Sequence, residues 1–259
     1  MYITIDIGGT NIRVAASLTL DTKLIKDQIK FTLVHNFDQD FANLIRSIEI
    51  VAKDSEISSI GIGISGDVEN DVVFSAQNLQ QWEGQAFVRI LTKQFNCSVF
   101  IENDGVSASL GEALYGTSSF KEFVYIAWGT GIGGAHVTKE IGSSKSNKID
   151  WDHYFERWEN MCGGASIIKK YGKTPDFLVK KEWDEIMDNF QSHIIAISKE
   201  LNIKNLVIAG GATFKQLNRV HKMSNELKDK GINLNISSLG DDIGLYGGLA
   251  LIKFNQNQH

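Results

Sequence analysis

Two short turns of glycine and threonine, each joining one apolar strand to the next, constrain this chain more than any other feature. The first is Gly8-Gly9-Thr10, between YITIDI and IRVAASL; the second is Gly129-Thr130-Gly131-Ile132-Gly133-Gly134, between FVYIAW and AHVTKEI. Apolar runs on both sides of a glycine turn read as a β-hairpin, and after each hairpin helices and strands alternate. In the first half a third strand, LIKDQIKFTLV, ends near Val34. Phe41, Leu44, Ile45, Ile48 and Ala52 then recur at helical spacing behind Asp38 and Asp40, which are placed to cap that helix. The strand SIGIGIS follows, its alternate glycines implying close approach of another backbone. Next come a helix marked by Phe87, Ile90, Leu91 and Phe95, the strand SVFIEND and the helix GVSASLGEALYG. The second half continues with a polar loop at SSKSNK and a helical section from about Tyr154 to Leu201, broken near Gly163, Gly164 and Pro175. It ends with the strand NLVIAGG, a helix from Phe214 to Leu227, the strand NLNISS and the helix IGLYGGLALIKF. This shared order of elements predicts an α/β chain of two duplicated lobes.

The turns also carry chemistry. Consecutive glycines let backbone N–H groups converge on an anion with no Cβ in the way, and a threonine hydroxyl adds a donor. Asp6, at the end of the strand entering Gly8-Gly9-Thr10-Asn11, could hold Mg²⁺ through water beside a phosphate. An ordinary tight hairpin also favours Gly-Gly, so the first turn alone leaves both readings open. The second turn contains the letters G-x-G-x-x-G, but a dinucleotide fingerprint needs its last glycine to open a helix, and AHVTKEI continues as a strand. Neither turn has the Lys-Ser/Thr ending of a P-loop. Two such turns, one opening each half, suggest jaws gripping successive phosphates of a nucleotide.

A third segment, Glu102-Asn103-Asp104-Gly105, lies where the strand SVFI hands over to a helix. Ligands of open α/β sheets bind at the carboxyl ends of strands. A phosphoryl transfer to an alcohol needs positioning, charge stabilisation and a base to accept the hydroxyl proton. Asp104 could be that base or could merely cap the helix behind it.

Composition narrows the partner. The net charge is -5 and no basic block occurs, which gives nucleic acid or an anionic membrane little to hold. A small molecule is the expected ligand. The two cysteines, Cys97 and Cys162, form neither a disulfide framework nor a C-x-x-C pair, which suits a reducing cytoplasm. The apolar start MYITIDIGGT is too short for a secretion signal or a membrane span.

Taken in order, DIGGTNIRVA, IGIGISGDV, SAQNLQQWEG, VFIENDGVSASLGEALYG, AWGTGIGGA, VIAGGA and SLGDDIGLYGGLALI resemble the ROK family of sugar kinases (repressors, open reading frames and kinases) over nearly the whole chain. The resemblance implies two ribonuclease-H-like lobes of the actin-like ATPase type with ATP and a hexose in a central cleft. The N-terminal lobe would span 1–117, completed by a C-terminal helix 244–259. The C-terminal lobe would span 118–243. Asp104 would then be the general base for the sugar's 6-hydroxyl, and Gly66, Asn78 and Asn103 would line the sugar site. Asp6, Gly8, Gly9, Thr10 and Asn11 would form the first phosphate motif. Gly129, Thr130, Gly131, Gly133 and Gly134 would form the second, with Gly210-Gly211 approaching the adenosine. The cofactors implied are ATP and Mg²⁺, and a homodimer is compatible with the family.

Two departures from the family pattern stand out. The G-E-x-G-H segment is matched only by Asp150-Trp151-Asp152-His153, with Asp in place of Glu, and Glu159 matches the Glu that closes the family's zinc motif. Asp150, His153 and Glu159 are the expected further sugar ligands. The zinc-binding cysteines of that motif are absent, and a lone His cannot make a four-ligand structural site, so no zinc is expected. The expected activity is phosphorylation of the 6-hydroxyl of glucose or a related sugar such as fructose, mannose or N-acetylmannosamine. The alternative is a non-catalytic sugar-binding pseudokinase or sensor. A DNA-binding repressor is not expected, because the first phosphate motif begins at Asp6.

Overall fold

The computed structural model describes residues 1–21, 25–140, 143–148 and 155–256. Its contacts divide the chain into two compact units: Met1–Gly116 together with the stretch from Asp242 onward, and Thr117–Asp241.

The first unit begins with β1 (Tyr2–Ile7), β2 (Asn11–Ser17) and β3 (Lys26–Thr32), an antiparallel meander whose first turn holds Gly8-Gly9-Thr10. Helix α1 (Phe37–Ala52), β4 (Ser59–Ile64), the small hairpin β5 (Asp67–Glu69) and β6 (Val72–Ser75), α2 (Phe87–Phe95), β7 (Ser98–Asn103) and α3 (Asp104–Tyr115) follow. The sheet order is β3-β2-β1-β4-β7, with β4 parallel to both β1 and β7. Asn36 caps α1, its side chain accepting from the Gln39 N–H at 3.1 Å. The expected caps differ from this: Asp40 is fully buried and reaches back to the N–H groups of Val34 (2.9 Å) and Asn36 (3.2 Å). A buried carboxylate so bonded ties the end of the meander to the helix it precedes.

In the second unit β8 (Glu122–Trp128), β9 (Ile132–Glu140) and β10 (Ser143–Lys148) form another antiparallel meander. Helices α4 (Phe155–Cys162), α5 (Gly164–Tyr171) and α6 (Lys180–Glu200) come next, then β11 (Asn205–Ala209), α7 (Gly211–Lys215), α8 (Leu217–Lys228) and β12 (Asn233–Ile236). The order β10-β9-β8-β11-β12 repeats that of the first unit strand for strand, with β11 parallel to β8 and β12. The segment expected as a loop, SSKSNK, is the edge strand β10. Its six residues pair with Ala135 to Glu140 through the backbone, and no alternation of apolar side chains announces it. The helix expected from Phe214 starts at Gly211 and is interrupted at Gln216.

The last helix, α9 (Ile243–Gln256), returns to the first unit and packs on β1, β4 and α3. Glycine makes this possible. A Cβ on Gly61 would run into the Gly248 carbonyl, and one on Gly111 would stand 2.7 Å from the Gly247 nitrogen. The Thr4 hydroxyl donates to the Leu245 carbonyl at 2.5 Å, satisfying a buried polar pair at the same seam.

Each unit has its own core. In the first, Ile3, Ile5 and Ile7 meet Leu44, Ile48 and Leu91, and Trp82 is fully buried among Phe37, Phe41 and Phe87, their rings edge-on to the indole at 5.0 to 6.4 Å. Burying a side chain of that size is worth roughly 4 kcal/mol, which fixes the segment that carries Asn78. In the second, Trp128, Trp158 and Phe190 pack together under the turn at Gly129.

Candidate active site

The register of the first hairpin sets Asp6 directly opposite Arg13. Nε and Nη2 of Arg13 both donate to Oδ2 of Asp6, at 3.1 and 2.8 Å, and Nη1 reaches Asp242 at 3.4 Å. Asp242 immediately precedes α9, so this arginine ties the first phosphate turn to the returning helix. Gly244 completes the arrangement: a Cβ there would stand 2.5 to 2.8 Å from the carboxyl atoms of Asp6. The turn is closed by the Gly8 N–H on the Asn11 carbonyl at 3.0 Å, and Thr10 at its tip is exposed. Gly9 leaves room for Asn78, whose Cβ lies 2.8 Å from where a side chain on Gly9 would begin. The first turn and the exposed Asn78 are thus neighbours.

At the end of β7, Asn103 rather than Asp104 is the cap of α3. Its Oδ1 accepts from the N–H groups of Gly105 (3.0 Å) and Val106 (3.2 Å), and its Nδ2 donates to the Gly66 carbonyl at 2.9 Å. An amide has two N–H hydrogens, so one remains for a ligand. Gly66 is wedged against β6: a Cβ there would meet Ala76 at 2.8 Å and the Ser75 carbonyl at 2.9 Å. With the capping done by its neighbour, Asp104 keeps its carboxylate at the first residue of the helix. Burial, and next the negative charge of Asp6, push its pKa from the ordinary 3.8 up to about 6, against the opposing pull of the Gly105 N–H at 2.8 Å and the Ser65 hydroxyl. A carboxylate poised there is mostly ionised at neutral pH yet basic enough to accept a proton.

In the second unit the turn between β8 and β9 is anchored from beneath by α4 and α5. The Gly164 and Ala165 N–H groups donate to the carbonyls of Gly129 (3.0 Å) and Thr130 (2.9 Å), and Oε2 of Glu159 accepts from the Ile132 N–H at 3.0 Å. Gly129 and Gly133 have open space where a Cβ would stand, so internal packing does not demand glycine there. Thr130 at the tip is exposed, as Thr10 is. Gly210 ends β11 at φ +100°, and a Cβ on it would strike the Trp128 backbone, so only glycine fits. Gly211 beyond it is exposed and open.

A profile of the ROK family matches residues 2–142. The chain belongs to the ROK family. The glucokinase of Thermotoga maritima is 33% identical over 140 residues, which are 52% of this chain and 44% of that protein, so the match spans under half the relative's length. The fold is that of a ROK family glucokinase from Streptomyces griseus in complex with glucose and AMPPNP (TM-score 0.77, 16% identity, covering 98% of this chain and 99% of that one). It is equally that of a ROK family protein from Streptococcus pneumoniae in complex with sucrose (TM-score 0.78, 19% identity, 100% and 99% covered). The two α/β units are accordingly those of the actin-like ATPase fold of ROK sugar kinases.

Within this ROK family chain the first unit brings together Asp6, Gly8, Gly9, Asn78, Gly66, Asn103 and Asp104, and the second unit brings together Gly129, Thr130, Gly131, Gly210 and Glu159. Glu159, expected at the sugar, has its carboxylate on the second turn. Asp150 and His153 lie outside the described residues. Among the described residues no group of three or more His, Cys, Asp or Glu could hold a metal ion, and no helix is long and apolar enough to cross a membrane. Cys97 and Cys162 are both free thiols. Sequence reasoning missed Arg13, although counting across the hairpin from Asp6 would have found it. It also missed Ser65, for which the sequence offers no signal, and the anchoring role of Gly163-Gly164.

Proposed function

We propose that this ROK family chain is an ATP-dependent sugar kinase that phosphorylates the 6-hydroxyl of a hexose, glucose or a related sugar such as fructose, mannose or N-acetylmannosamine. The observation that carries the reading is Asp104, a carboxylate raised to about 6 at the first residue of a helix whose cap is Asn103. Its neighbours fit the rest of the reaction. Asn78 and the remaining amide hydrogen of Asn103 would bond sugar hydroxyls, Gly66 would line the same pocket, and Asp104 would accept the 6-hydroxyl proton. The sugar oxygen then attacks the γ-phosphorus as its bond to the β–γ bridging oxygen breaks, so ADP leaves and the proton rests on Asp104. Gly8 to Asn11 and Gly129 to Gly134 would hold the phosphates, and Gly210-Gly211 the adenosine. The Streptomyces griseus structure of the same fold was obtained with glucose and AMPPNP, which supports a hexose and a nucleotide as the two ligands.

Magnesium fits the same residues. Both Arg13 bonds to Asp6 fall on Oδ2, which leaves Oδ1 for a water of the hydrated ion. Bound with ATP, Mg²⁺ would offset charge on the β- and γ-phosphates.

The test is a coupled assay for ADP over a panel of hexoses, amino-hexoses and β-glucosides. Turnover is expected with at least one hexose, and Asp104→Asn should lower kcat by about 10²- to 10⁴-fold. No phosphorylation of any sugar overturns the proposal; sugar binding seen by calorimetry without transfer would mark a non-catalytic sensor instead.

A further inference from the structure

The backbone groups of the second turn can be accounted for one by one, as buried or half-buried N–H and C=O groups must be. The Gly129 N–H goes to the Gly131 carbonyl at 3.0 Å. The Gly129 and Thr130 carbonyls take the first N–H groups of α5, from Gly164 and Ala165. The Ile132 N–H, at the start of β9 and opposite Trp128 in the hairpin register, goes to the Glu159 carboxylate. The N–H groups of Thr130 and Gly131 are left, and among the described residues neither has an internal partner. Glu159 is held for this task by its own backbone: its carbonyl takes the Gly163 N–H at 2.8 Å, turning the chain from α4 into α5. Gly131 leaves room for it: a Cβ there would stand 2.7 Å from Oε2, so any larger residue requires the carboxylate to shift.

We propose that Glu159 is a positioning residue for the nucleotide, pinning the Ile132 N–H so that the Thr130 and Gly131 N–H groups form the pair that receives a phosphate oxygen. The inference rests on the nucleotide-binding part of the proposed function and deepens it. It gives Glu159 a role toward ATP where the family pattern points to the sugar. What the turn needs from Glu159 is an acceptor at Oε2, not a charge. A glutamine, which keeps a carbonyl oxygen at that reach, should therefore serve; an alanine should not.

Calorimetric titration with Mg-AMPPNP and, separately, with the best hexose of the panel tests this on the full chain. Glu159→Ala should weaken nucleotide binding about tenfold or more while hexose affinity stays within about threefold. Glu159→Gln should bind nucleotide as tightly as wild type or tighter. Gly131→Ala, which displaces the carboxylate without removing it, should reproduce the loss and keeps the question answerable should Glu159→Ala fail to fold. Unchanged nucleotide affinity in both the Glu159→Ala and Gly131→Ala proteins overturns the inference, as does a loss confined to the hexose. A wild-type protein that binds nucleotide but transfers nothing defeats the kinase reading and leaves this inference standing. A wild-type protein that binds no nucleotide removes both.

Discussion

Replacing Asp104 by Asn should make the protein both less active and more stable, and the stability gain should depend on pH. The raised pKa of Asp104 means that the folded state holds its proton more tightly than the unfolded chain does. The difference, from 3.8 to about 6, corresponds to about 3 kcal/mol at 1.36 kcal/mol per pH unit. The sign follows from the direction. Below about pH 4 the carboxyl is protonated in both states and its full contribution to stability is present. As pH rises through 6 that contribution is lost, and at pH 8 the fold carries an ionised group it disfavours. Asn cannot ionise, and its side-chain oxygen can still accept the Gly105 N–H that Oδ1 of Asp104 takes at 2.8 Å. Since Asp104 is only half-buried, about 2 to 3 kcal/mol is the expected gain at pH 8, or roughly 4 to 10 °C in the melting of the unit that holds it. At pH 4 variant and wild type should melt together within about 2 °C. Thermal unfolding followed by circular dichroism at both pH values is the assay. A variant no more stable than wild type at pH 8, or a gain equal at pH 4 and pH 8, refutes the argument that burial and the charge of Asp6 strain this carboxylate. The wild-type transfer rate should fall as pH drops below about 6, when the base is taken up by a proton.

Arg13→Ala should move that acid limb to higher pH, because the charge of Asp6, which helps to raise Asp104, would lose the guanidinium paired with it at 2.8 Å; an unmoved limb contradicts the link. Gly61→Ala should cost about 3 kcal/mol by denaturant unfolding, the upper end for overpacking, because its Cβ meets backbone of α9 that has no room to yield. Gly133→Ala, with open space at its Cβ, should leave stability within about 0.5 kcal/mol; comparable losses at the two positions would show that the seam with α9 is not the tight one.

How much of this was written in the sequence depends on which force fixes each element. The duplication was legible because β1, β2, β8 and β9 are apolar strands around glycine turns, and burial imposes that pattern. Strand β10 was not, because an edge strand is held through the backbone from one side and SSKSNK needs no apolar face to be held so. The cap of α1 was misplaced by two to four residues for a related reason. Asn36, Asp38 and Asp40 are all capable of capping, and only the burial of Asp40 under the meander decides that it braces Val34 and Asn36 instead.

The same distinction separates the glycines. Gly61, Gly111 and Gly248 are required by backbone packed against backbone. The alternate glycines of SIGIGIS announce that close approach at Gly61, but the demand arises between elements far apart in the chain, so nothing local names α9 as the element that comes against it. Among the described residues nothing requires glycine at 129 or 133, since a Cβ at either would meet no atom within 4 Å. A glycine whose Cβ position is empty in the free chain, beside exposed Thr130 and two unpartnered N–H groups, is best explained by something that arrives later and needs the space. The first turn differs in its surroundings. Its anchor is the strand pair itself and the Arg13–Asp6–Asp242 chain, whereas the second turn is held by helices α4 and α5 through Glu159, Gly164 and Ala165. Two turns of similar composition thus stand on unlike supports. That is why composition alone could suggest a pair of phosphate jaws but could not name the residues that hold either one in shape.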